Sequence, residues 1–331
     1  MIFLPGWFYL IAVALASEAL STLVTVGGKH PLESSVLAII FGIILRAINA
    51  IPNKCQAGVK TSEKILIFGI VLLGAGFDVK LVASQGWSIA AIVLITMSCG
   101  FFLILLLGRF LKLTSSMTML LAAGTTICGT SAIAVTAPLI KAKEEETSYA
   151  IGTVALLGLI ATILYPMLGH MFGASDLAFG IFAGTAIHST PQVVAAGIIY
   201  SEIAGKTATA VKLLRNCFMA PIAMLIAFLY RSPGETNNLT RAQLMRAFPW
   251  FLFGYFIMAG LSSYGVFSAD LIASLTQVGK FLILIGMVGI GLNTNLSAFK
   301  SIGLKPLIAG TIAALIVALI SVLGTRTFIT V

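Results

Sequence analysis

Long apolar segments, each separated from the next by a short polar stretch, occupy almost the whole chain. Most run for about 20 residues, the length that an α-helix needs to cross roughly 30 Å of hydrocarbon. Alternating ten-residue segments, which are typical of membrane barrels, are not seen. We therefore expect an all-α, polytopic membrane protein. The pattern predicts about eleven membrane segments, at residues 6–26, 33–51, 64–82, 87–110, 117–140, 147–171, 176–200, 208–230, 247–267, 277–297 and 304–328.

The composition supports this prediction. The 331 residues are 59% hydrophobic and 9% charged, with a mean hydropathy of +1.08, whereas soluble domains carry roughly 25% charged residues. The net charge of +9 does not indicate nucleic-acid binding, because the basic residues lie mostly in short loops that meet anionic lipid head groups. The cysteines form no CxxC pair, so neither a metal site nor a disulfide framework is indicated. We also expect no cofactor.

The loop charges predict the orientation. The side richer in Lys and Arg should be cytoplasmic, which places the N-terminus inside and the C-terminus outside. The first segment lacks the basic start of a signal peptide, so we interpret it as a retained membrane helix. The richer side carries Arg46, Lys54, Lys60, Lys64, Arg109, Lys112, Arg231, Arg241, Arg246, Lys300 and Lys305, and the other side carries Lys29, Lys80, Lys141, Lys143 and Lys206.

Two pairs of short segments suggest an internal repeat. AGTTICGT (123–130) aligns without gaps with AGTAIHST (183–190), and GAGFDVKL (74–81) aligns with GIGLNTNL (289–296). An apolar helix follows each segment. Duplicated halves are common in secondary transporters. The two pairings do not follow one simple order, so the exact symmetry stays open.

The first pair interrupts two predicted membrane helices. In TTICGTSAIAVTAP (125–138), Gly129 weakens the helix, and Thr130 or Ser131 could cap a new one. The segment is therefore predicted to form two half-helices of about ten residues that meet near the middle of the membrane. Free backbone groups at that depth are tolerated only where protein or a wet cavity satisfies them.

The second interruption, in IHSTPQVVAAG (187–197), has stronger signals. Ser189 or Thr190 is a suitable N-cap. Pro191 suits the first helical position, because its missing N–H is not needed there. An N-cap near the midplane directs the partial positive charge of a half-helix towards the break. Two such ends that face one cavity would suit an anion.

Cationic side chains lie close to the second break. His188 is part of it, and the next segment carries Lys212, Arg215 and Asn216 in VKLLRN. If that helix begins near Thr207, Arg215 lies roughly 12 Å inside the membrane, where an arginine needs a cavity or a partner. The predicted anion site comprises Gly129, Thr130, Ser131, His188, Ser189, Thr190, Gln192, Lys212, Arg215 and Asn216.

Each of these residues also has a structural interpretation. His188 could be a buried histidine that bonds a carbonyl, and Lys212 could extend to the membrane interface. Arg215 could pair with the C-terminal end of a helix. The hydroxyl and amide side chains could bond backbone groups within packed helices.

The motifs LLGAGFD, ICGTSAIAVTAP, HSTPQVVAAG, VKLLRN, FPWF and GIGLNT occur in this order. Together they resemble the YeiH family of bacterial inner-membrane proteins, also labelled a sulfate exporter family, over residues 35–330. That family is grouped with cation:proton antiporters and bile acid:sodium symporters. The resemblance implies inverted repeats of five helices, a panel domain, a core domain with two broken crossing helices, and elevator-like motion. Bile-acid-type symporters use glutamate and glutamine for sodium near the second break, whereas this chain has His188, Ser189 and Thr190.

The leading hypothesis is a secondary transporter of a small anion such as sulfate, a sulfonate or a carboxylate. Residues 1–331 would form one transporter domain, with an extra helix in 1–30 and the repeat-containing core and panel helices in 33–331. His188 could couple transport to protons, since histidine titrates near physiological pH. Sodium coupling and a homodimer stay open. The absence of HExxH, GxSxG or paired carboxylates argues against an enzyme.

Two alternatives remain at this point. A sodium- or proton-coupled antiporter of the same fold needs an essential membrane carboxylate, for which Glu18 is a poor candidate. A non-transporting membrane receptor would bind its ligand without moving it across the membrane.

Overall fold

The computed structural model describes residues 3–23, 34–77, 86–219, 221–222, 225–226, 230, 251–293 and 304–328. Every regular element within these ranges is helical. Five of the helices are long and apolar enough to span a membrane. They confirm the prediction of an all-helical, polytopic membrane protein. The predicted crossings at residues 117–140 and 176–200 are wrong, because the two ends of each interrupted segment lie close together. Thr114 donates to Glu146 at 2.5 Å, and Tyr200 donates to the Ala174 carbonyl. The other predicted spans stay predictions.

The described residues form fourteen α-helices, numbered in chain order. Two short 3-10 helices, Asn53–Cys55 and Gly74–Gly76, flank α3 and α4. The α-helices are α1 (Leu4–Leu23), α2 (Ser34–Ala47), α3 (Gln56–Val59), α4 (Ser62–Leu73), α5 (Gly86–Phe110), α6 (Ser115–Thr126), α7 (Thr130–Leu139), α8 (Glu144–Met171), α9 (Asp176–Ala186), α10 (Thr190–Tyr200), α11 (Glu202–Asn216), α12 (Phe251–Ser263), α13 (Ala269–Asn293) and α14 (Leu304–Phe328).

Helix α11 begins earlier than the apolar pattern predicts. The hydroxyl of Ser201 accepts a hydrogen bond from the Ala204 N–H at 3.1 Å and so caps a helix that starts at Glu202. Lys206, predicted to lie in a loop, is therefore helical and donates to Glu202 at 2.6 Å. The prediction failed here because the first turn is polar, and an apolar pattern does not detect a polar turn.

Some predicted features lie outside the described residues. They include residues 231–246, which carry Arg231, Arg241 and Arg246, and most of segment 208–230 beyond residue 222. The second pair of aligned segments is only partly described, since residues 78–81 and 294–296 also lie outside these ranges.

The chain divides into two compact units. Unit 1 comprises Met1–Leu81 and Trp250–Ser297, and unit 2 comprises Val82–Pro249 and Ala298–Val331. Within unit 1, α13 packs against α2 and α4. These helices approach closely at glycine: a Cβ on Gly42 would lie only 2.8 Å from the Gly291 Cα atom. Small residues at helix contacts are typical of membrane proteins.

Unit 2 holds both interrupted helices. Helix α11 packs against α9 and α10, the two halves of the second interrupted segment, while α6 packs against α5, α7 and α8. Helix α14 packs against α5 and α9. The apolar cluster around α6 includes Leu120, Ile133 and Val154, all 0 to 1% exposed. This packing fixes the positions of the two breaks within unit 2.

Candidate functional site

The first break lies at residues 127–129, between α6 and α7. Gly129 is the N-cap of α7, with φ +66° and ψ −121°, and no side chain caps this helix. The prediction that Thr130 or Ser131 supplies the cap is therefore wrong. The reason is conformational, because the chain reverses through a positive φ that glycine adopts readily. Thr130 is the first residue of α7, and Ser131 beside it is exposed.

The second break lies at residues 187–189, between α9 and α10. Ser189 is the N-cap, as predicted, and Pro191 is the second helical residue rather than the first. The side chain of Gln192 holds this helix start: its Oε1 accepts from the Ser189 N–H at 3.3 Å, and its Nε2 donates to the Ala155 carbonyl at 3.0 Å. Gln192 therefore bonds backbone groups within packed helices, which is the structural interpretation of its amide.

The two breaks occupy identical positions in the aligned octapeptides. In each octapeptide, four residues end one helix, three residues form the break, and the last residue begins the next helix. Each half-helix has 10 to 12 residues, close to the predicted length. The local repeat is thus matched by a repeated local structure, which the sequence alignment alone could not establish.

The breaks also adjoin each other in space. A Cβ atom on Gly129 would lie 3.5 Å from the backbone carbon of His188 and 3.5 Å from the Cα of Ser189. That is ordinary van der Waals distance. Four helix ends therefore meet in one region of unit 2.

Lys212 binds backbone carbonyl groups in both breaks. Its Nζ donates to Ile127 at 2.9 Å, to Ile187 at 2.9 Å and to His188 at 2.5 Å. The side chain is 0% exposed, so it does not extend to the membrane interface as the structural interpretation suggested. An ammonium group has three N–H donors, and each one has an acceptor here.

Arg215 binds the carbonyl groups at the ends of α6 and α9. Its Nε donates to Thr126 at 2.8 Å and its Nη2 to Thr125 at 2.5 Å, while its Nη1 donates to Thr185 at 2.6 Å and to Ile187 at 3.4 Å. The residue is 1% exposed. The prediction that a buried arginine here needs a partner is confirmed, since its partners are the carbonyls of two helix C-termini.

These contacts have a clear electrostatic reason. The last four carbonyls of a helix have no intrahelical donor, and they carry the partial negative charge of the helix dipole. Inside a membrane they need other donors. Lys212 and Arg215 supply these donors to both interrupted segments at once, and so hold α6 and α9 to α11.

The interrupted segments themselves carry no carboxylate that could offset the opposite, positive poles of the half-helices. The positive N-termini of α7 and α10 begin at Thr130 and Thr190, and residues 115–143 and 177–201 contain no Asp or Glu. This side of the break is also the accessible one: Ser131 is exposed, and Thr130 and Ser189 are half-buried. The accessible surface of the break is therefore electropositive and bears hydroxyl groups.

His188 and Asn216 lie below this surface. Both are 2% exposed. Asn216 donates to the Thr190 hydroxyl at 3.1 Å. Among the described residues, neither ring nitrogen of His188 has a hydrogen-bond partner, and the Asn216 Oδ1 has none either. The sequence also allowed His188 to be a buried histidine that bonds a backbone carbonyl. The described residues show no such bond.

One polar contact near the break was missed by sequence reasoning. The hydroxyls of Thr185 in α9 and Ser321 in α14 lie 2.6 Å apart, and both side chains are fully buried. Ser321 follows a run of nine apolar residues in α14, between Thr311 and Thr325. A polar residue in such an apolar stretch is a signal that it bonds another buried polar group.

Comparisons with known proteins agree with the sequence motifs. A family model described as conserved hypothetical protein 698 matches residues 5–310. The UPF0324 membrane protein of Streptococcus pyogenes is 34% identical over 330 residues, covering 96% of this chain and 95% of that protein. The protein of Bartonella henselae is 31% identical over 323 residues, covering 97% and 92%. The family resemblance is confirmed, and this chain belongs to the UPF0324 family of membrane proteins.

Proposed function

We propose that this protein is a secondary transporter of a small anion, which binds at the adjoining N-termini of α7 and α10. The observation that carries the proposal is the charge distribution at the breaks. Lys212 and Arg215 are bonded to the helix C-termini, whereas no carboxylate on the interrupted segments faces the N-termini. Helix N-termini of this kind bind sulfate, phosphate and carboxylate groups.

A count of charges supports an anion rather than a cation. Each helix pole corresponds to roughly half an elementary charge, so the two negative poles offset only about half of the charge on Lys212 and Arg215. The positive poles at the N-termini of α7 and α10 add to the positive charge of Lys212 and Arg215 that is not offset. The region therefore has an excess of positive charge, which an anionic substrate would balance.

The accessible hydroxyls would contact the substrate first. Ser131, Thr130 and Ser189 carry hydroxyl groups beside the first N–H groups of the two helix starts. His188 would be a deeper ligand or a proton carrier, because its ring nitrogens are free of partners among the described residues. Sulfate, sulfonates and small carboxylates share the required charge and acceptor oxygens.

The proposal includes an alternating-access mechanism with inverted repeats. Unit 2 would be the core domain, because it holds both breaks, and unit 1 would be the panel domain. Elevator-like motion of the core would expose the anion to each side in turn. We place the protein in the bacterial inner membrane, with a cytoplasmic N-terminus; coupling to protons and a homodimeric assembly are part of the same hypothesis.

A charge reversal at the N-cap tests the site. Ser189→Asp should preserve the helix start, since aspartate is as good an N-cap as serine, but its carboxylate would occupy the anion position. Ser189→Asn is the neutral match of the same size. Ser175→Asp places the same charge at the N-cap of α9, outside the breaks.

The assay is uptake into proteoliposomes of radiolabelled sulfate, methanesulfonate or acetate, with and without imposed proton and sodium gradients. We expect at least tenfold slower uptake for Ser189→Asp, and near wild-type uptake for Ser189→Asn and Ser175→Asp. Uptake by Ser189→Asp that equals the wild type would refute anion binding at these N-termini. Saturable binding without uptake would favour a receptor.

A cation antiporter has less support from the charges. Glu18, the carboxylate that the sequence offers for such a role, is exposed in α1 of unit 1. Sodium-dependent proton flux that survives Ser189→Asp and is lost in Glu18→Gln would favour this alternative.

A further inference from the structure

Unit 2 contains an apolar cavity that the proposed transport site does not use. The cavity has a volume of about 610 Å³ and lies where α8 ends, α9 begins and α14 ends. One wall carries the aromatic residues Tyr165, Phe172, Phe179 and Phe182. The volume falls within the roughly 300–1,000 Å³ range of small-molecule sites.

The aromatic wall is held in place by further contacts. The rings of Phe179 and Tyr200 stack with centroids 3.9 Å apart, and those of Tyr165 and Phe182 lie 5.0 Å apart. The hydroxyl of Tyr200 donates to the carbonyl of Ala174, which lines the cavity. The cavity is therefore built by ordered neighbours rather than by loosely packed side chains.

The cavity is continuous with apolar surface on membrane-spanning helices. Phe172 at the end of α8 is 68% exposed, and Leu315 and Leu319 on α14 are 61% and 58% exposed. All three line the cavity. In a membrane protein such surface faces lipid, so a lipid chain can enter from the bilayer.

One cation lies at the end of this cavity. Arg326 belongs to the last turn of α14, is exposed, and lines the cavity beside Thr325. The structure records no ion pair or hydrogen bond for Arg326 with the part of the chain that it describes. Its guanidinium is thus available to a ligand, and a phosphate fits its paired N–H groups.

We propose that this cavity binds an anionic phospholipid, with one acyl chain against the aromatic wall and the phosphate on Arg326. The apolar wall fits a hydrocarbon chain, and the single cation fits a negative head group. A polar solute would leave its donors and acceptors unpaired against such a wall. The site is independent of the proposed transport function.

The test is native mass spectrometry of the purified full chain with added phosphatidylglycerol or phosphatidylcholine. We expect the wild type to bind phosphatidylglycerol about fivefold more tightly, the effect of one basic residue near an anionic lipid. Arg326→Gln should remove this preference. Arg109→Gln, which removes an exposed cation from the last turn of α5, should retain it.

Filling the cavity separates specific binding from general attraction to the surface. Ala318→Trp, and the smaller change Ala178→Leu, should both reduce phosphatidylglycerol binding severalfold, because Ala318 and Ala178 line the cavity. Circular dichroism identifies any variant that fails to fold. Equal binding of the two lipids by the wild type would overturn the proposal, as would an equal effect of Arg326→Gln and Arg109→Gln, or unchanged binding by a folded cavity-filling variant.

Discussion

Replacing Arg215 with glutamine should destabilise unit 2 strongly. Its guanidinium makes three hydrogen bonds of 2.5 to 2.8 Å, to the carbonyls of Thr125, Thr126 and Thr185. A shorter glutamine cannot reach all of them. The change therefore leaves buried carbonyls of two helix ends without donors.

The magnitude follows from these contacts. A buried polar group without a partner costs about 1–3 kcal/mol, and three such groups are affected. Removing the buried guanidinium also removes its desolvation cost, which offsets part of the loss. We expect a net destabilisation of about 3 kcal/mol, equivalent to a lower Tm by on the order of 10 °C for a unit of this size.

Thermal unfolding of the detergent-purified protein, followed by size-exclusion chromatography of heated samples, measures this change. Arg215→Lys should fall between the wild type and Arg215→Gln, because lysine keeps the charge but has fewer donors. Arg109→Gln is the matched control, since its side chain is exposed in the last turn of α5.

A Tm of Arg215→Gln within about 2 °C of the wild type would refute the reasoning, since about 1 kcal/mol moves the Tm by at least that much. If the same stable variant also lost anion uptake, Arg215 would be a substrate ligand rather than a partner of helix ends. The two measurements together therefore separate a structural arginine from a binding one.

Three further substitutions test single contacts by the same Tm measurement. Gly129→Ala should cost about 1–3 kcal/mol, because its φ of +66° strains any other residue; an unchanged Tm would contradict this. Gly158→Ala places a Cβ against Gln192 Oε1, well inside van der Waals contact, so it should displace that amide from the start of α10 and cost about 1–3 kcal/mol. If the displacement is the cause, Gln192→Ala should remove most of the difference. Thr185→Val should cost about 1 kcal/mol, since it removes the 2.6 Å contact with Ser321; no cost would mean that this contact is energetically neutral.

Local patterns are enough to locate both breaks. The Ser189 cap and the proline two residues later describe the start of α10, and the aligned octapeptide extends that interpretation to α7. Such signals work because helix starts are governed by a few neighbouring residues. The choice of Gly129 as the cap of α7 was missed, because a positive φ follows from the path of the chain between two packed helices.

The sequence by itself determined the membrane class, the family and the interrupted helices, since hydrophobic length and capping are properties of short segments. Only the tertiary structure decided what the buried cations do. Lys212 bonds a carbonyl 85 residues away, and Arg215 bonds one 90 residues away. Every residue has a carbonyl, so no sequence pattern could select these partners. The packing of α11 against the two interrupted segments selects them, and it leaves the positive helix starts as the accessible face of the break.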